Sequence, residues 1–367
     1  MEKQRIEFLD YLRVFAIFMV LVVHACEQFY FGPDGGFLIN TRGDALWVVG
    51  LDSAGRAAVP LFVMASAYLL FPVTRPTGEF LRHRLLRVGV PFLLWAVVYN
   101  MRFKGSWAAM AFNFPMATGG HLWFVPMLAG IYLLMPLLSP WAERAPEKEV
   151  RGWLLLWGFT TLFPFMRKLC GYLCGAPSFG AVPYLYGECP WNGFGTFQYV
   201  SGFFGYMLLG FYFRRFAAEW SWRRTLGWAL PLWLAGWAIV AGGFYFRLPV
   251  GRGYPVEGPY ALAVDMEMSW EFCSLGVLFT VIAYFLVLRK FTFAGGIYRI
   301  LVRPLAEASF GVYLVHILVL VAIIDPLKSA LPTPLAIGTA AVAVFWASSF
   351  MSIAVRKIPK IGKWICG

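Results

Sequence analysis

The chain has 367 residues, 60% of them hydrophobic, 19% aromatic and only 14% charged, with a mean hydropathy of +0.67. A soluble domain carries nearly twice that charge fraction, so the composition excludes one and predicts an all-α polytopic membrane protein. The net charge of +12 does not signal nucleic-acid binding, because the cations lie at helix ends in alternate loops and form no basic domain.

Hydropathy predicts about ten transmembrane helices: 8–27, 57–72, 86–101, 121–138, 152–166, 198–213, 226–246, 269–288, 305–324 and 335–355. Each is near the ~20 residues that cross a bilayer, the second and fifth being the weakest. With the N-terminus inside, the inner segments carry 21 Lys and Arg and the outer segments 9, Arg13 lying within the first span. The loops are short, so this bias places both termini in the cytoplasm. No separate soluble domain is visible, and residues 1–367 read as one integral-membrane domain. Asp10 and Arg13 interrupt the first apolar run, which argues against a cleavable signal peptide. The longest outer loops are expected over 28–56, 167–197 and 247–268.

The first span carries the most informative pattern. Arg13 and His24 are eleven residues apart; at 100° per residue this is about 20° past three turns, with a separation of about 16 Å. Asp10 lies one turn below Arg13 and Glu27 one turn above His24, so one stripe carries four ionisable groups through an apolar helix. Such groups are costly in hydrocarbon and mark functional sites, although Asp10 and Arg13 also suit a structural pair.

Before the third span, Arg82, Arg84 and Arg87 form a cationic cluster interrupted by His83. Arg84 and Arg87 share a helix face; Arg82 is displaced. Arginines at a helix end anchor the interface, and a dense cluster at the mouth of a bundle also suits phosphates. The phosphate ligand that fits a membrane enzyme here is an acyl-carrying nucleotide such as acyl-CoA.

Only four histidines occur, and the topology gives His24, His121 and His316 similar depth. Histidine is the natural general base at neutral pH. It also satisfies interhelical hydrogen bonds. Ser309, Tyr313 and His316 share a face of the ninth span. Ser66 is a small polar intrusion in the second. Of six cysteines, Cys170, Cys174 and Cys189 share one predicted outer loop and Cys26 ends the first span, as free thiols or with one disulfide bridge. No His lies among these cysteines, so no metal site is expected. P-loop, nucleophile-elbow, zincin and dinucleotide fingerprints are absent.

Five short motifs in order resemble the integral-membrane acyltransferases of the acyltransferase-3 family. They are Leu9-Asp10-Tyr11-Leu12-Arg13 with His24; Leu61-Phe62-Val63-Met64-Ala65-Ser66; Arg82-His83-Arg84-Leu85-Leu86-Arg87; His121-Leu122-Trp123-Phe124 with Tyr132 and Pro136; and Ser309 to His316. The chain departs at Ala67, where the family often has glycine, and at His83 within the arginine run. It resembles the stand-alone type, with no hydrolase-like domain.

The resemblance implies ten helices, a cytoplasmic acyl-CoA donor, no tightly bound cofactor, and O-acylation of an extracytoplasmic carbohydrate or lipid-linked sugar. It also implies a place in the bacterial inner membrane. His24 is the expected catalytic base, oriented by Glu27, with Arg13 on the thioester arm. Arg82, Arg84 and Arg87 are the expected donor site. Asp10, Ser66, His121, Trp123, Ser309, Tyr313 and His316 are the expected cavity or acceptor-side residues. From another class, a secondary transporter of a small anion or acylated metabolite would use Arg13 and His24 as substrate and proton sites. The paired broken helices that favour transport are not found.

Overall fold

A computed structural model describes residues 5–31, 38–39, 41–103, 105–108, 120–162, 198–247 and 270–367. Its described residues form helices joined by short non-helical links, without strands. The helices are α1 (Glu7–Tyr30), α2 (Arg42–Gly55), α3 (Ala58–Leu70), α4 (Thr77–Arg102), α5 (Phe124–Arg144), α6 (Glu147–Thr160), α7 (Phe203–Arg215), α8 (Trp222–Arg247), α9 (Leu275–Leu288), α10 (Arg303–Ala330), α11 (Thr333–Arg356) and α12 (Gly362–Cys366).

Each of the ten predicted segments overlaps a described helix. Seven of the described helical stretches are long and apolar enough to cross a membrane, one of them formed by α2 and α3 together over Arg42–Leu70. The predicted spans at 152–166, 198–213 and 269–288 correspond to the shorter helices α6, α7 and α9.

One expectation is corrected. The predicted outer loop at 28–56 contains α2, capped by the Thr41 hydroxyl on the Asp44 amide at 3.1 Å. Arg56, counted with the outer-loop cations, is buried against Asp52. Hydropathy misses this helix because Asp52 and Arg56 depress the average, although each neutralises the other. The predicted outer loops at 167–197 and 247–268, the latter apart from Arg247 at the end of α8, lie outside the described residues, as do Cys170, Cys174 and Cys189. Cys26 is a free, buried thiol.

Helix α1 is the hub, packed against α2, α3, α10 and α11. Its polar stripe is therefore turned into protein rather than lipid. Without a hydrophobic force between helices in a bilayer, close packing of small residues does the joining. A Cβ on Gly210 of α7 would lie 2.6 Å from the Met64 carbonyl of α3, and one on Gly311 of α10 would lie 2.8 Å from Ser352 Oγ of α11. The first contact fixes the helix that carries Ser66, and the second the helix that carries His316.

Candidate active site

Three histidines meet at the C-terminal end of α1. The His24 ring centroid is 5.0 Å from that of His316 and 6.3 Å from that of His121, and the His121 and His316 centroids are 5.2 Å apart. His24 comes from α1, His121 from the short turn Gly120–Trp123 before α5, and His316 from α10. The equal depths expected from topology thus correspond to direct neighbours.

The hydrogen bonds set the tautomers. Glu27 Oε2 lies 2.5 Å from His24 Nδ1. A carboxylate accepts, so Nδ1 carries the proton and His24 Nε2 presents a lone pair. His316 Nδ1 donates to the Tyr313 carbonyl at 2.6 Å, which leaves its Nε2 as acceptor too. His316 is fully buried, and neither its Nε2 nor that of His121 has a hydrogen-bond partner among the described residues. Buried polar atoms in this state cost free energy unless a ligand engages them. Among the described residues, no three His, Cys, Asp or Glu side chains converge as a metal site.

Tyr313 supports this arrangement, its hydroxyl donating to the His121 carbonyl at 2.6 Å. Tyr99 of α4, absent from the sequence-based site, adjoins it. The Tyr99 ring centroid lies 4.6 Å from that of His121, and the Tyr99 hydroxyl donates to the Leu314 carbonyl at 2.9 Å. Asn100, next in α4, is 2% exposed, and its amide makes no hydrogen bond among the described residues. A lone Asn in the apolar run Val97-Val98-Tyr99-Asn100 was the available signal. Trp123 stands to one side, 5.3 Å from Phe272 and 5.9 Å from Phe203 between centroids, in an aromatic wall. Ser309 lies towards the other end of α10, with its hydroxyl returned to the Ala306 carbonyl.

A cationic cluster occupies the opposite end of α1. Arg13 of α1, Arg84 and Arg87 of α4 and buried Tyr132 of α5 lie within one another's electrostatic reach, and Ser66 of α3 hydrogen-bonds Tyr132. Tyr132 is a further site candidate, marked in the sequence only by its motif. Arg84 also lines a recess of about 100 Å³ with Thr74, Arg75, Phe80, His83 and Arg214. Arg82 and Arg87 are both exposed and line no part of it, but only Arg87 stands with Arg84 within reach of Arg13 and Tyr132. The structure therefore separates Arg82 from Arg84 and Arg87.

Asp10 organises the same end. Its Oδ2 accepts from Arg5 Nε at 2.5 Å and from the Tyr298 hydroxyl at 2.6 Å, while Arg13 reaches its Oδ1 at only 3.6 Å. Tyr298 opens the π-helical turn Tyr298–Val302 before α10. Arg5 and Tyr298 take the tighter bonds, so Asp10 anchors its end of α1 and holds Arg13 loosely.

A helical bundle with a buried histidine cluster at one level and an arginine cluster at the other defines an integral multi-pass membrane protein with a site along its central helix. The model of a family described as an acyltransferase domain matches residues 6–353. The chain belongs to this family, the acyltransferase-3 family, and is a membrane acyltransferase. That sets aside the transporter reading. No curated protein and no solved structure matches the chain.

Proposed function

We propose that the protein transfers an acyl group, in the simplest case acetyl, from cytoplasmic acyl-CoA to a hydroxyl of an extracytoplasmic carbohydrate or lipid-linked sugar. The bundle crosses the bacterial inner membrane ten times with both termini cytoplasmic. The carrying observation is the His24–Glu27 pair, which leaves His24 Nε2 as a base beside the bare Nε2 atoms of His121 and His316.

In this reading His24 Nε2 takes the proton of the acceptor hydroxyl as its oxygen attacks the thioester carbonyl. The new C–O bond forms, the C–S bond breaks, and the CoA thiolate takes the proton from His24. Glu27 holds the ring and stabilises the imidazolium in between. The free Nε2 of His316 accepts a hydrogen bond from a neighbouring acceptor hydroxyl, and the unpaired Nε2 of His121 exchanges one with it. Arg84 and Arg87 hold the CoA phosphates, with Arg82 at the periphery. Arg13 stands where the pantetheine arm enters the bundle.

The test is acyl transfer from radiolabelled acetyl-CoA by detergent-purified protein, with envelope glycolipid extracts as acceptor. The wild type should label a glycan fraction. The His24→Ala variant should be slower by about 10²–10⁴-fold while remaining folded. Near-normal turnover in that variant would remove the base assignment.

A further inference from the structure

The junction of α2 and α3 holds a buried ion pair that the reaction above does not use. Asp52 is fully buried and Arg56 is 5% exposed. Arg56 presents Nε and Nη2 to the Asp52 carboxylate, Nη2 at 3.0 Å, and Nη2 also donates to the Tyr30 hydroxyl at 3.1 Å. The guanidinium stands over the Trp270 ring, 4.7 Å from its centroid. Tyr30 is one turn beyond Glu27 on α1, so the bond from Arg56 ties the ion pair to the turn that follows Glu27. A Cβ on Gly55 would lie 2.6 Å from Val23 Cγ2 and 3.1 Å from the Met19 carbonyl. Glycine there lets this end of α2 close onto α1 beside the site.

A buried ion pair is a weak stabiliser, because desolvating both ions offsets their attraction and an apolar pair packs as well. Its location suggests another role. Glu27 orients His24 only as the hydrogen-bond acceptor of Nδ1–H, the role a carboxylate fills with both oxygens. A fixed guanidinium nearby favours the carboxylate. The cation alone would oppose formation of the His24 imidazolium, and Asp52 offsets that effect while locking the guanidinium plane.

We infer that Asp52 and Arg56 form a positioning pair for the His24–Glu27 dyad, holding Glu27 as the carboxylate that orients His24. The inference rests on the acyl-transfer reading for its catalytic consequence, but its effect on His24 is independent of any substrate.

The test neutralises both members together, Asp52→Asn with Arg56→Met, so that neither is left charged opposite a neutral partner. With Glu27 present, the double substitution should lower kcat for acyl transfer by about 5-fold to 10-fold, within the loss expected from removing the Glu27 charge itself, with the KM for acetyl-CoA within about twofold. In a Glu27→Gln background it should cost less than about threefold, because the group it supports is gone. Equal losses in both backgrounds would mean a merely structural pair and would overturn the inference.

The second arm needs no turnover. Long-range ¹H–¹⁵N spectra of histidine-labelled protein should show His24 as the Nδ1–H tautomer in the wild type and as a tautomer mixture in the double variant. An unchanged His24 tautomer would also overturn the inference. Absence of acyl transfer in the wild type would count against the acyltransferase reading and leave this arm to decide the pair on its own.

Discussion

Replacing Glu27 by Gln separates orientation from charge in the dyad. The side chain keeps its length and a carbonyl oxygen that still accepts from His24 Nδ1–H, now 2.5 Å from Glu27 Oε2. A hydrogen bond to an ionised group contributes about 1.5–3 kcal/mol and a neutral one about 0.5–1.5 kcal/mol. The difference, about 1–1.5 kcal/mol, appears in full only when the ring becomes imidazolium. It therefore falls on the transition state, where 1.36 kcal/mol is tenfold in rate. Both side chains are partly exposed, 18% for His24 and 23% for Glu27, so solvent screening sets the upper end of that range as a ceiling. The expected result is a kcat lowered by about 5-fold to 13-fold, with an unchanged KM for acetyl-CoA. Release of the CoA thiol, followed optically in detergent with glycolipid acceptor, measures both. A Glu27→Gln enzyme as fast as the wild type would show that the carboxylate charge has no part in the reaction. A loss as large as that of His24→Ala would show that Glu27 acts chemically rather than by orienting its neighbour.

Three further outcomes are expected. Arg84→Ala and Arg87→Ala should each weaken CoA binding about tenfold by isothermal titration, and Arg82→Ala much less, because only the first two lie with Arg13 around Tyr132; equal effects at all three would make the cluster a general interface anchor. Asp10→Asn should lower the thermal midpoint in detergent. The bonds from Arg5 and Tyr298 lose their ionised acceptor, a cost of about 1–2 kcal/mol once discounted for the 35% exposure of Arg5 and its second partner Glu307; an unchanged midpoint would remove the anchoring role. For sidedness, a single cysteine at Ser329 in a Cys-free background should react with impermeant maleimide on intact cells and one at Thr77 should not, and the reverse pattern would invert the topology.

The parts of this architecture legible in the sequence are those set by local periodicity. The angular step along α1 places Asp10, Arg13, His24 and Glu27 on one stripe, and the His24–Glu27 bond follows from their spacing. Depth is equally local, which is why three histidines far apart in the chain were expected at one level. Their mutual approach is tertiary and rests on contacts such as that of Tyr313 with the His121 carbonyl, 192 residues away. Tyr298 reaching Asp10 across 288 residues from a π-helical turn has no local signature. The buried pair in α2 did have one. Asp52 and Arg56 stand at i, i+4, the spacing at which opposite charges cancel on a helix, but a hydropathy average counts each as a polar residue. Ser309 shares a face with Tyr313 and His316, about 10 Å along the helix from His316, and its hydroxyl is returned to the Ala306 carbonyl.

The distribution of charge between the two levels accounts for the direction of the chemistry. Near the N-terminal end of α1, Arg5 is matched by Asp10 and Arg303 by Glu307, which leaves Arg13, Arg84 and Arg87 as a positive excess over the described carboxylates. A polyanion entering there is attracted by charges already fixed in protein, and low dielectric strengthens the effect. At the histidine level, Arg56 is matched by Asp52, and the Glu27 carboxylate is hydrogen-bonded to His24. A carboxylate held on His24 disfavours a phosphate there but favours the imidazolium that forms when a sugar hydroxyl is deprotonated. A polyanionic donor is thus held at one level, and its uncharged thioester is the part suited to reach the other. Reversing the carboxylate charge with Glu27→Lys should abolish transfer while leaving CoA binding at the arginine level within about twofold, since the two clusters are separated by about 16 Å of apolar helix. Loss of CoA binding in that variant would mean that the two levels form one site, and the division of labour along α1 would fail.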